Sequence, residues 1–234
     1  MRFRLPLLCS ISLILTLPAM ADTVAATSSI WLAGQPAGAS VTGYFGSDTA
    51  TANSPLQIAI TGTSVSFTAS GSTSVDGSCF AGADGAGCYG DQSSFSPTPW
   101  GGDYNGPADA LVGIFISGTP TLSTVGGYTG PDFVAGPDYQ DPANLGPGTY
   151  PPALNQIFLI GTGTGESFVV PTGATGLYVA VADSLGGSTG NLGSLTVNAA
   201  FTGANSVVPE PGSFVLLGSG LVGLAGVARR RFTR

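Results

Sequence analysis

Histidine and lysine are absent from this 234-residue chain, and charged residues make up only 8% of it. The six arginines sit at the two ends: Arg2 and Arg4, then Arg229, Arg230, Arg231 and Arg234. Between Asp22 and Val208 there are twelve acidic side chains and no basic one. These absences exclude whole classes of function. Phosphate backbones are bound through Lys and Arg, so nucleic acid is not a partner. A serine or threonine nucleophile has no evident base to activate it. Paired carboxylates could hydrolyse a glycoside in principle. Yet Glu166, the one glutamate between Asp22 and Val208, stands between Gly165 and Ser167 with no partner deducible from sequence. The Gly-rich "GTGTGE" lacks the lysine and helix context of a phosphate loop. The expectation is a non-catalytic protein, with a glycoside hydrolase as the weakest alternative.

Cysteine is also scarce, with three in the chain. Cys9 lies in an apolar leader. Cys79 and Cys88 remain, an even pair in a chain that reads as exported, which favours a disulfide closing "CFAGADGAGC". Free thiols or a metal pair are the alternatives, but no third soft ligand lies nearby.

The ends read as addresses. Met1–Arg4 is basic, Leu5–Leu17 is apolar and broken by Pro6, and Ala19-Met20-Ala21 is an A-x-A cleavage signature. Together they predict a signal peptide over residues 1–21, with Ala19 and Ala21 marking the cut. At the other end, Ser213–Ala228 is uncharged and apolar or small, near the lower length limit of a membrane helix. The cluster Arg229-Arg230-Arg231 follows, and positive residues stay cytoplasmic, so the acidic body faces outward. The order Pro209-Glu210-Pro211, short span, arginine cluster resembles the PEP-CTERM sorting signal of exported bacterial proteins. That resemblance implies recognition by an exosortase, with Pro209, Glu210 and Pro211 as the motif and the membrane helix as a transient inner-membrane anchor. The expected location is the cell envelope, cell surface or extracellular matrix.

The remainder is rich in glycine, with 37 residues, and 43% hydrophobic. No segment has helical period. Leu56, Ile58 and Ile60 alternate, as do Val65 and Phe67, and "ALVGIFISG" and "NQIFLIG" read as buried central strands. "SFVVP", "GLYVAVAD" and "GSLTVNAAF" complete seven or eight short strands between Gly/Pro turns. This predicts an all-β chain with a β-sandwich or jelly-roll ectodomain over 22–206, followed by a sorting tail over 207–234. Two irregular stretches, Asp76 to about Asp109 and Thr119–Pro152, carry Phe95, Trp100, Tyr104, Tyr128, Tyr139 and Tyr150. Such aromatics stack on sugar rings or pin a loop to its own domain.

A body of unpaired carboxylates suits calcium, which takes oxygen ligands; a solubilising acidic surface is the plainer reading. "GSTSV", "ADALVGIFISG" and "PTGATGLYVAVADSLGGSTGNLGSLTV" resemble the galactose-binding-like β-sandwich of calcium-dependent bacterial galactophilic lectins. The resemblance implies a Ca²⁺ site built from Asp183, Asn191 and the carbonyls of Gly187 and Val75. This chain departs from that pattern at Gly190, which stands where the family has a first asparagine, and it has no histidine to contact sugar. Turn chemistry is the alternative role for Asp183 and Asn191. Two functions follow as expectations: a structural or interaction protein of the surface or exopolymer matrix, and a calcium-assisted module that binds extracellular polysaccharide.

Overall fold

The computed structural model describes residues 21–43, 45–88, 91–92, 104, 106–118, 147–163 and 165–203. Ala19, the Pro209-Glu210-Pro211 motif, the 213–228 span and the arginine cluster lie outside the described residues, as do Phe95, Trp100, Tyr128 and Tyr139.

The described chain forms thirteen strands: β1 (Asp22–Ala25), β2 (Ser40–Thr42), β3 (Ser47–Thr49), β4 (Leu56–Ile58), β5 (Ser64–Ser74), β6 (Asp91–Gln92), β7 (Gly106–Pro107), β8 (Leu111–Ile116), β9 (Gly148–Tyr150), β10 (Ile157–Leu159), β11 (Glu166–Val169), β12 (Gly176–Val181) and β13 (Leu192–Thr202). One sheet has the order β1-β13-β5-β11-β9 and the other β10-β8-β12-β4. The pairs β2–β3 and β6–β7 stand apart as small ladders. All pairings are antiparallel except β9 with β11. Among the described residues, helical structure is limited to two 3-10 turns, Ile30–Leu32 and Ser188–Gly190, and no helix is long and apolar enough to cross a membrane. The chain is all-β.

Hydrophobic patterning explains which strands lie where. Every residue of β8, "LVGIFI", is buried. Leu111 and Phe115 face the five-stranded sheet and its Val65, Phe67, Phe168, Leu195 and Val197. Val112, Ile114 and Ile116 face the other way, onto Ile30, Trp31, Leu32 and Tyr104. The four-stranded sheet is thus covered on both faces, which an apolar run without alternation satisfies. Phe158 of β10 ties the layers together, its ring 4.5 Å from Phe168 and 5.4 Å from Phe115. By contrast β13 alternates, with Leu195 and Val197 buried and Ser194 and Thr196 exposed. Its eleven residues pair with β5 along their whole length, Leu192 with Ser74 through Thr202 with Ser64.

The strand count exceeds the seven or eight expected. The additional strands β1, β2, β3, β6, β7 and β9 are two to four residues long. Periodicity cannot be read over so few positions. Cys79 and Cys88 are joined by a disulfide with Cα atoms 5.5 Å apart. The two aromatic loop residues within the described set are structural. Tyr104 is buried and its hydroxyl donates to the Pro107 carbonyl at 2.8 Å, and Tyr150 packs on Phe168.

Candidate functional site

The antiparallel pairings bring four strand ends to one end of the sandwich. β5 ends at Ser74 opposite Leu192, where β13 begins. β12 ends at Val181 opposite Leu111, where β8 begins. The segments just beyond these residues therefore meet: Val75–Asp76 after β5, Ala108–Ala110 before β8, and Asp183–Asn191 between β12 and β13. They enclose a cleft of about 240 Å³ lined by Phe45, Val75, Asp76, Ala108, Asp183, Ser184 and Gly187. That volume is below the usual range for a drug-sized ligand, roughly 300–1,000 Å³. It suits an ion with a few waters or hydroxyls.

Val75, Asp183 and Gly187 all line this cleft, and Asn191 stands behind it in hydrogen-bond contact with the Asp183 carboxylate. Asp183 is held from several sides. The Trp31 indole N–H donates to its carbonyl at 3.0 Å, fixing the backbone. The Ser184 amide and hydroxyl donate to its Oδ1 at 2.6 and 3.1 Å. Burial nonetheless pushes its carboxyl above the usual range, against the pull of these hydrogen bonds, and the nearby Asp48 charge pushes the same way. Gly187 matters through what it lacks. A Cβ there would lie 2.9 Å from Ser184 Oγ and 3.0 Å from Asp183 Oδ2. The missing side chain leaves the carboxylate face open to the cleft.

Asn191 is almost fully buried. Its amide nitrogen donates to the Ala26 carbonyl at 3.2 Å, while its Oδ1 has no hydrogen-bond partner among the described residues. Buried oxygens without partners are rare because desolvation costs roughly 1–3 kcal/mol each. Asp48 is fully buried as well; Thr189 Oγ1 donates to its Oδ1 at 3.3 Å, but its Oδ2 is unpartnered among the described residues.

Asp109, which the sequence reading did not single out, is the most isolated acid of this end. It is fully buried, and neither carboxylate oxygen has a well-formed hydrogen bond among the described residues. Burial raises its pKa from the ordinary 3.8 to about 6, with the Asp183 and Asp76 charges adding to the rise and the nearby Val75 amide and Thr73 hydroxyl opposing it. Its backbone sits at φ +65°, a left-handed conformation that costs a residue with a Cβ about 1–3 kcal/mol unless its surroundings hold it. They do: its amide donates to Ala182 O at 2.9 Å and its carbonyl accepts from Thr73 Oγ1 at 2.8 Å. The disulfide loop supports the same turn. Ala81 exchanges backbone hydrogen bonds with Thr73, and the Leu111 amide donates to Ala83 O at 2.8 Å. The one sequence signal for Asp109 was an acid set directly against a wholly apolar run, in "GPADALVG". Trp31 and Phe45 gave none, because they reach the site only through long-range contacts.

Among the described residues no three His, Cys, Asp or Glu side chains group closely enough to hold a metal ion by themselves. A cation at this cleft would draw on two carboxylates at most and complete its shell with amide and backbone oxygens. Glu166 is buried in β11 next to the Ser167–Ser66 pair of β5, remote from the cleft.

The tail is identified by sequence comparison. Residues 207–231 match the PEP-CTERM protein-sorting motif. The motif marks an exported, envelope-associated protein that an exosortase processes. No curated protein and no solved structure matches the chain.

Proposed function

We propose that this chain is delivered across the inner membrane, processed by an exosortase at Pro209-Glu210-Pro211, and retained at the cell surface or in the exopolymer matrix as a non-catalytic structural or interaction protein. The observation that carries this reading is the sorting motif over 207–231. The acidic body, without a basic side chain from Asp22 to Val208, fits a life outside the cell and offers no acid–base machinery. Mass spectrometry of the protein from envelope and medium fractions tests the reading. The expected mature species lacks residues 1–21 and ends near the motif. A mature protein that retains Arg234 overturns it.

A second reading is favoured by the convergence of Val75, Asp183 and Gly187 on one cleft, with Asn191 hydrogen-bonded to the Asp183 carboxylate. In this reading the ectodomain is a galactose-binding-like sandwich that holds Ca²⁺ and, through it, hydroxyls of an extracellular polysaccharide. Asp183 and Asn191 would supply side-chain oxygens, and Val75 and Gly187 their carbonyls. The space left by Gly187 fits a cation at the Asp183 carboxylate, and the Asn191 amide beside that carboxylate has an Oδ1 without a partner among the described residues. Phe45, 70% exposed and lining the cleft, offers an apolar face for a sugar ring. Calorimetry with Ca²⁺ and then galactosides separates the outcomes. Heat from Ca²⁺ alone makes the ion a structural clamp, and a further heat with galactosides makes the protein a carbohydrate-binding module.

A further inference from the structure

The carboxylate of Asp109 has no role in either reading. It is fully buried, both of its oxygens lack a well-formed hydrogen bond among the described residues, and no basic side chain exists between Asp22 and Val208 to neutralise it. Buried charges persist in proteins when paired or when they coordinate a metal. Its placement is imposed by the backbone, since the φ of +65° is locked by Ala182 and Thr73. It lies one residue behind the cleft wall: its neighbour Ala108 lines the cleft, as do Val75, Asp76 and Asp183, the residues that act on its charge. A second buried oxygen at the same end, Asn191 Oδ1, is equally without a partner. Gly190 contributes no side-chain oxygen, so Asp183 and Asn191 alone leave a cation short of ligands.

We propose that Asp109 is a ligand of the cation held at Asp183 and Asn191, and that it supplies the side-chain oxygen that Gly190 lacks. The inference rests on the calcium reading above. With two carboxylates the site carries two negative charges, which a divalent cation neutralises in full. The donors are oxygens without nitrogen or sulfur, which disfavours zinc. Mixed carboxylate, amide and carbonyl oxygens from three separate loops fit the irregular shell that Ca²⁺ accepts better than the strict octahedron of Mg²⁺.

The test is calcium titration of the full chain in detergent, by calorimetry and by thermal melting in chelator and in CaCl₂. Four forms are compared: wild type, Asp109→Asn, Asp109→Ser, and Asp109→Asn combined with Gly190→Asn. Wild type binds Ca²⁺. Asp109→Asn binds at least tenfold more weakly, yet melts higher than wild type in chelator because a buried charge is gone. Adding Gly190→Asn restores part of the affinity, since a Cβ at 190 meets nothing within 4 Å. A variant Asp109→Asn that binds Ca²⁺ as tightly as wild type overturns the assignment and leaves the Asp183 site standing. Absence of any Ca²⁺ response in wild type overturns both. Loss of a cooperative melt in chelator for both Asp109→Asn and Asp109→Ser also overturns it, because a carboxylate kept for a cation is not needed by the cation-free fold.

Discussion

The middle of this molecule and its acidic end are built on opposite terms. In the middle, β8 and β10 bury every side chain between two apolar layers, and none of those side chains carries a polar atom to satisfy. At the end, Asp48, Asp109, Ser188 and Asn191 are buried with orphaned oxygens, within a body that has no basic side chain. The middle supplies stability of the ordinary kind, proportional to apolar area removed from water. The end carries a cost that the middle must cover unless a ligand removes it. Such a division places strain where binding energy can be used.

The largest effect that could break this contrast lies in the middle. Phe158 touches the rings of both Phe115 and Phe168. Phe158→Ala should cost about 3–5 kcal/mol, the lost transfer energy plus the cavity left behind. Ser194→Ala on the exposed face of β13 should stay within roughly 0.5 kcal/mol. Denaturant unfolding measures both. If the two substitutions cost the same, the double-sided core is not where stability resides.

Next comes a pair of glycines. At Gly113, mid-strand in β8, an added Cβ would sit 2.7 Å from Phe158 Cζ and 2.9 Å from its Cε2. The ring is packed on both sides and cannot withdraw, so Gly113→Ala should destabilise by about 1–3 kcal/mol through overpacking. Gly190 has open space, and Gly190→Ala should be neutral or slightly stabilising. Melting temperatures of the two variants rank them, and a harmful Gly190→Ala would mean the acidic end is packed as tightly as the core.

The disulfide is of similar size and connects the regions. Cys79→Ser should cost roughly 2–3 kcal/mol from loop-closure entropy. It should also weaken any Ca²⁺ response, because the 79–88 loop supports Thr73 and Leu111, which flank the Asp109 turn. A variant with lowered melting temperature and undiminished Ca²⁺ heat would uncouple the loop from the site.

Legibility in the sequence follows the same contrast. β8 and β10 were readable because an apolar run has few other uses in an exported chain. β5 and β13 were readable by alternation at Val65 and Phe67 and within "GSLTVNAAF". The short edge strands were not, since β1 exists by pairing with β13 rather than by its own pattern. At the acidic end, Asp183, Gly187, Asn191 and Val75 could be picked out only through the resemblance to the calcium-dependent lectin pattern, since loop chemistry alone gives Asp183 and Asn191 an ordinary turn role. Asp109 lies 74 positions before Asp183 in the chain, and its role depends on burial and left-handed backbone that only the packed fold reveals.

The last expected effect is the most specific, because it differs in sign from ordinary acid denaturation. Asp109 titrates at about 6 in the folded protein against an ordinary 3.8. The folded state therefore holds this proton more tightly than the unfolded state does. Stability from that group is complete below pH 3.8 and declines as pH rises through about 6. Asp183, also raised by burial, acts in the same direction. In chelator, then, the melting temperature should fall between pH 4 and pH 7, where many proteins gain stability as their paired carboxylates ionise. Asp109→Asn should flatten that slope. Calcium should reverse it, since a cation favours the ionised carboxylates that burial alone disfavours. β8 and β10 carry no titratable side chain to produce such a reversal, so a slope that ignores both calcium and Asp109→Asn would show that the acidic end stores no charge for a ligand to neutralise.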